Sequence, residues 1–422
     1  MKGKQYRTAA RYTGLTMRIW IGALLLLSAA FGQRIGEPLP GWTPGTLDIH
    51  QINTGRGNSA LLIFPDGASM LIDAGDGGFL PPRGTAPRPD ASRGPGEWIA
   101  RYARHMLAHD ASPAIDYAYL THFHSDHMGA PGPNAKTARG GYKLTGITEV
   151  AEYIPIRKMI DRGWPDYNYP APLEDGMMKN YRAFLAWQRA HNGMQIERLH
   201  PGRNDQIVLP RDPGKYPNFE VRNIAANGEV WTGVAMNTRA RFPRMEDLPS
   251  NERPTENMCS LAIRVSYGKF DYFTGGDMPG VRRWETPVWN DVETPVAQSV
   301  GPVEVSLLNH HGNRDSQNAF FLASLRPRVL IIPVWSSDHP GYDVLDRIYS
   351  QRIYPGPRDV FATNMLEANR LVIGELLGRL KSSQGHVVVR VDPGGATFRV
   401  IILDDAAETF RVKAVFGPYE SR

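Results

Sequence analysis

The chain of 422 residues has one cysteine, Cys259. A single thiol closes no intramolecular disulfide, so a disulfide-stapled scaffold is excluded and stability must come from a core or from bound ions. Acidic residues are missing from the first 32 positions, where Lys2, Lys4, Arg7, Arg11 and Arg18 stand. Past that stretch basic and acidic residues are equal in number, so the formal charge of +5 belongs to the leader. The remaining chain has no basic surplus with which to track duplex nucleic acid. The apolar run Ile19–Leu27 is too short to span a bilayer comfortably. With Arg18 before it and Ala30 and Gly32 just ahead of Gln33, residues 1–32 read as a secretory signal that is removed on export, to the periplasm or the exterior. An uncleaved leader acting as a membrane anchor is the alternative. The start codon is Met1 or Met17, and the absence of a cysteine near the cleavage point argues against a lipoprotein.

What is present is an ordinary globular composition, 41% hydrophobic, sufficient for a sizeable core. Residues 33–46 form a Pro-rich linker (Pro38, Pro40, Pro44), and 47–422 form one domain with insertions at 76–96 and 130–255. Alternation and turn residues predict strands over Leu47–Ile52, Ala60–Phe64 and Met70–Ile72, the last ending at Asp73. Helical periodicity covers Glu97–His109, where His105 and His109 are assigned to the surface, and Leu173–Asn192. Residues 145–162 alternate weakly. Gln195–Leu199, Gln206–Leu209 and Phe219–Ala225 read as strands, and Thr232–Pro254 as a polar loop bearing Arg239, Arg241 and Arg244. A hairpin, Leu261–Val265 with Phe270–Phe273, runs into Gly275-Gly276-Asp277. The strand Val303–Leu308 stops at Asn309-His310-His311-Gly312. A helix near Asn318–Leu325, the strand Val329–Ile332, the helix Tyr342–Ser350 and a hairpin within His386–Leu403 complete the reading.

The most informative stretch is Thr121-His122-Phe123-His124-Ser125-Asp126-His127-Met128-Gly129, which follows the β-run Ile115–Leu120. Side chains two apart on a strand share a face, so His122 and His124 point together, and Asp126 and His127 return from the next turn. Imidazoles with a carboxylate suit zinc or a similar borderline ion.

The pattern His-x-His-x-Asp-His resembles the signature of the metallo-β-lactamase superfamily, and the opening hairpins are most similar to the hydrolase domain of ComEC competence proteins and their stand-alone relatives. The resemblance covers roughly Leu47 to Leu403 by motif spacing. It implies an α/β fold, the αββα sandwich, with two divalent cations, zinc or else manganese. By resemblance, His122 and His124 hold the first metal, Asp126, His127 and His311 the second, and Asp277 bridges them. Asp73 braces the metal loop, Asp126 orients the nucleophilic water, and His310 faces substrate or supports the ligands. The chain departs from the pattern where many members carry a further first-site histidine; here stand Glu256-Asn257-Met258-Cys259-Ser260, with Asn257 and Cys259 as substitutes. The Gly-Gln-Gly-Asp turn is altered to Gly55-Arg56-Gly57-Asn58.

The expected function is an exported metal-dependent hydrolase acting on a phosphodiester. ComEC-like domains are associated with such bonds, and a related phosphorylcholine esterase carries a similar Asn-His-His-Gly element. The substrate would be a small or oligonucleotide-like phosphoester, with Trp164, Tyr167 and Tyr169 either stacking against it or packing their own loop. A β-lactamase- or lactonase-like hydrolase and a non-catalytic metal-binding scaffold are the alternatives. Oligomeric state is not legible.

Overall fold

The computed structural model describes residues 33–78 and 81–422, so the leader assigned to 1–32 lies outside the described residues. Two sheets form the centre. The first has nine strands in the spatial order Val412–Glu420, Thr397–Leu403, His386–Val391, Leu47–Gln51, Ala60–Ile63, Ser69–Ile72, Ile115–Tyr119, Ile156–Asp161 and Gln195–Arg198. Its pairing is antiparallel up to Ser69–Ile72 and parallel from there to the edge. The second has eight, in the order Asp359–Ala362, Val329–Ile332, Val305–Leu307, Phe270–Thr274, Ala262–Tyr267, Phe219–Ala226, Glu229–Trp231 and Thr238–Ala240. There Phe270–Thr274 and the three strands before it in that order run parallel, and the remainder antiparallel.

The period-2 pattern explains the layering. Ala60, Leu62, Met70 and Ile72 face the second sheet, meeting Ile263, Val265, Tyr272 and Val305 in a shared core. Their neighbours Leu61, Ile63 and Leu71 face outward against the helices Pro95–Met106, Gly146–Tyr153 and Gly176–Asn192. On the far side, Tyr342–Tyr349, Glu293–Val300 and Ala319–Leu325 cover the second sheet. Central strands covered on both faces become apolar on both, as Ala60–Ile63 and Val329–Ile332 do. Among the described residues no helix is long and apolar enough to cross a membrane.

Several local expectations change. Gln206–Leu209 is not a strand: Ile207 and Leu209 are buried in the inter-sheet core, but the Gln206 side chain takes up the His200 N–H and the Arg198 carbonyl. Side-chain burial, without a ladder, produced that alternation. The weak pattern over 145–162 resolves into the helix Gly146–Tyr153, capped by Thr145 and Thr148, and the strand Ile156–Asp161. The polar segment 232–254 holds a short edge strand, Thr238–Ala240, and two single 3₁₀ turns. The strand Val412–Glu420 was not anticipated; Gly417-Pro418 breaks its pattern, which an edge position tolerates. Residues 33–46 lie partly along it, Gly36 N–H donating to Val412 O and Leu39 N–H to Phe410 O. Residues 130–255 supply strands to both sheets.

The parallel strands place the chemistry. Ser69–Ile72 ends at Asp73, Ile115–Tyr119 at Thr121–His127, Phe270–Thr274 at Asp277 and Val305–Leu307 at Asn309–Gly312. Carboxyl ends of parallel strands lie on one edge of a sheet, where side chains from distant parts of the sequence converge.

Candidate metal centre

Two groups of side chains meet at this edge. Asp126, His127, Asp277 and His311 each offer one ligand atom, all within 4.8 Å of one another; His122, His124 and Asp277 form a second group on the same criterion. Asp277 belongs to both. His122, His124, Asp126, His127, Asp277 and His311 are therefore brought together, from segments up to 189 positions apart (His122 to His311).

The local backbone is built for this convergence. Asn58 N–H donates to the Asp126 carbonyl (2.8 Å) and Gly75 N–H to the Asn58 carbonyl (3.0 Å). A Cβ at Gly57 would stand 2.3 Å from the Asp126 oxygen, and one at Gly75 2.1 Å from it, so both positions require glycine. The altered turn Gly55–Asn58 thus still carries the Asp126 loop. Asp73, His310 and His311 adopt positive φ (58°, 49° and 54°), a conformation non-glycine residues keep only where their surroundings impose it.

Asp73 braces rather than joins the cluster. Its carboxylate accepts from Thr121 N (2.8 Å), Thr121 Oγ1 (2.8 Å) and Asn58 Nδ2 (2.9 Å), and lies 2.7 Å from His127 Nδ1. The His127 Nδ1–H therefore donates to Asp73, and Nε2 is turned inward. His311 is fixed in the same way, its Nδ1–H donating to the Pro333 carbonyl (3.0 Å). The two inward Nε2 atoms stand 3.2 Å apart. His127 Nε2 is 3.1 Å from Asp277 Oδ1, and His311 Nε2 is 3.1 Å from Asp126 Oδ2. Two lone pairs facing each other beside two carboxylates make a field that a cation relieves. That donor set, imidazole nitrogens oriented by a carboxylate and a carbonyl behind them, fits a divalent ion.

Titration directions report the same field. Burial disfavours charge throughout, yet it is outweighed at His127, held well above the usual imidazole range by Asp277, Asp73 and Asp126. Likewise His311 is pushed up to about 9 by Asp277 and Asp126. The histidines in turn hold Asp126 and Asp277 below the ordinary carboxylate range. His122, enclosed and beside His127, is driven the other way by burial first, and stays a neutral donor. Its Nε2 lies 3.1 Å from His124 Nδ1 and 3.7 Å from Asp277 Oδ2.

His310 stands apart from the ligand groups. Its Nδ1 lies 2.6 Å from Asp315 Oδ1, and its Nε2 3.2 Å from Asn257 Nδ2 and 3.8 Å from Asp277 Oδ2. Against burial, Asp277 and Asp315 raise its pKa. The side chains of His310 and Asp126 are 19% and 15% exposed and His124 is half-buried, whereas those of His122, His127 and His311 are at most 2% exposed, so the first three are the ones that meet solvent. Asp315, five positions after His310, was not singled out from the sequence; an acid at that spacing carries no helical or strand signal.

Nor was the ion pair behind the first group. Arg162, buried, makes paired hydrogen bonds to the Glu256 carboxylate (Nε to Oε1 2.7 Å, and Nη2 to Oε2). Glu256 Oε1 also accepts from Phe123 N (2.8 Å), the residue between His122 and His124. The guanidinium lies 4.6 Å from the Phe123 ring centroid. Glu256 thus supports the His-x-His segment from the stretch where a further ligand was sought. Cys259 in that stretch is buried, its thiol pushed up to about 12 chiefly by burial, and it is not in either ligand group. Asn257 is nearer the chemistry: its Nδ2 meets His310, and its buried Oδ1 lacks a hydrogen-bond partner among the described residues.

Other candidates fall outside. His105 and His109 are exposed. Tyr167 is buried with its hydroxyl on Asp161 (2.8 Å), and Trp164 is half-buried under Arg189. Arg241 reaches Gln298, and Arg244 pairs with Glu246 and Asp247. A cavity of about 910 Å³ is lined by Asp116, Tyr117, Arg157 and Gln206 and by none of the ligand candidates.

No protein-family model matches the chain, and no curated protein matches it.

Proposed function

We propose that the protein is an exported hydrolase with the metallo-β-lactamase αββα fold, using two divalent cations, zinc or else manganese, to cleave a phosphodiester. The observation that carries this reading is Asp277, shared by two ligand groups where strand ends of the two sheets meet. His122, His124 and Asp277 would hold one ion, and Asp126, His127, His311 and Asp277 the other, with Asn257 Oδ1 as the additional donor available to the first. Bound divalent cations lower the pKa of water and polarise a phosphoryl oxygen.

The chain's own groups divide the remaining work. Asp73 and the Pro333 carbonyl hold His127 and His311 with Nε2 inward. Asp126, its carbonyl seated against Gly57 and Gly75 and its side chain partly exposed, accepts a proton or a hydrogen bond from the attacking water. His310, partly exposed, with its Nδ1 anchored on Asp315 and its Nε2 beside Asn257 Nδ2 and Asp277, is the group that would give a proton to the leaving oxygen.

Metal analysis of the mature protein, with turnover of bis(p-nitrophenyl) phosphate, a chromogenic cephalosporin and an aliphatic lactone, tests the reading. Phosphodiester turnover, abolished by chelation and restored by zinc or manganese, is expected. Turnover of the β-lactam or the lactone alone would replace the phosphodiesterase assignment, and metal binding without any turnover would leave a scaffold.

A further inference from the structure

The segment that carries His311 continues into a cleft of about 500 Å³. Its walls are Asn313–Arg314, the loop from Ser337 to Tyr342, and the helix Glu367–Ile373. Both loops adjoin the candidate ligand: the His339 ring stacks on His311 with centroids 4.8 Å apart, and Gly341 N–H donates to the Gly312 carbonyl (2.9 Å). The cleft is thus walled by segments adjoining His311 in the chain or packed on it.

Its lining combines three features. First, Arg314 is exposed, and its guanidinium makes no hydrogen bond or ion pair among the described residues. The one acid in the lining, Asp338, is already paired with Arg83 (3.1 Å). Gly341 leaves room for the Arg314 stem, since a Cβ there would stand 2.7 Å from Arg314 Cγ. Second, Tyr342 and Val372 present apolar surface inside the concavity, 51% and 74% exposed. Third, Asn369 is buried at the helix wall; its Nδ2 holds the Ser337 and His339 carbonyls (3.2 and 3.1 Å), and its Oδ1 has no partner among the described residues.

Exposed apolar side chains in a concavity favour a flat or apolar ligand part, an unpaired guanidinium favours an anion, and an unpartnered amide oxygen favours an N–H donor. A nucleotide offers a base, a phosphate and an exocyclic amine. We propose that this cleft is a nucleotide subsite beside the metal centre: the base lies against Tyr342 and Val372, and a phosphate other than the scissile one is held by Arg314. This rests on the phosphodiesterase reading and narrows it to substrates with a nucleotide on one side of the cleaved bond.

Calorimetric titration of the mature, metal-loaded protein with adenosine 5′-monophosphate, adenosine and inorganic phosphate tests the subsite. The monophosphate should bind more tightly than either fragment. Arg314→Gln should weaken the monophosphate by about tenfold and adenosine by less than about twofold, the loss of one charge-assisted contact. Tyr342→Ala should weaken both. Asp277→Asn, outside the cleft, should leave monophosphate binding in place. Absence of monophosphate binding, or binding insensitive to Arg314→Gln but lost in Asp277→Asn, would overturn the subsite, the latter by putting the ligand on the metals. Retained, Arg314-dependent binding by a protein that turns over no phosphodiester would uphold the subsite and remove the hydrolase reading.

Discussion

Two aspartates at the site do different work, and substitution should separate them. Asp277 contributes charge to both ligand groups but little packing. Asp277→Asn should remove most turnover while shifting the metal-free unfolding midpoint only slightly, because the loss is in ion binding. Unchanged turnover at saturating metal would contradict the shared role. Asp73, by contrast, satisfies three donors and orients His127. Asp73→Ala leaves Thr121, Asn58 and His127 with buried unpaired groups and should cost about 3–5 kcal/mol in urea unfolding of the metal-free protein. A cost near zero would mean the brace is dispensable.

At the scale of elements, the two ligand groups hang on different supports. The Asp126–His127 loop is tied to the first sheet through Asp73 and Asn58, while the His122–His124 segment leans on Glu256 from the second half of the chain. Removing one partner of a buried ion pair costs more than removing both, since an unpaired charge is left behind. Glu256→Leu alone should therefore destabilise the protein more than Arg162→Met with Glu256→Leu together. Both variants lose the acceptor for Phe123 N, so both should weaken metal binding at His122/His124 relative to the Asp126/His127/His311 group. Calorimetric metal titration reads this directly. The four-residue group should fill first in the unaltered protein, having more donors and two carboxylates. If His124→Ala abolished the tighter event and His311→Ala spared it, that order would be reversed.

For the whole molecule, a buried histidine far from the metal residues in sequence sets a pH limit. His386 accepts the Asn53 N–H on Nδ1 (3.0 Å), and burial, with His50 and Lys413 nearby, pushes its pKa down to about 3. The folded state thus binds fewer protons than the unfolded one below the ordinary imidazole value. Stability from this group is complete above about pH 6.5 and falls as the pH drops toward 3. His386→Gln, which keeps an acceptor for Asn53, should flatten that limb by an amount on the order of a few kcal/mol at its acid end, measured by denaturant unfolding between those limits. An unchanged slope would mean that the ring is already protonated in the fold.

The sequence by itself determined the candidate ligand types and much of the strand set. His122, His124, Asp126 and His127 are close in the chain, and a strand followed by a turn brings such neighbours together. The strands Ala60–Ile63 and Ser69–Ile72 were legible as short apolar runs between turn residues, while which of their side chains face the second sheet was not, because both faces are apolar. Asp277 and His311 were legible as strand ends, but their meeting needs two sheets packed face to face, which no local pattern encodes. Tertiary structure alone decided the Arg162–Glu256 support, the His310–Asp315 pair and the Arg314 cleft. Each joins side chains whose relation depends on how parallel strand ends and helices are stacked; sequence spacing records only what one element can place.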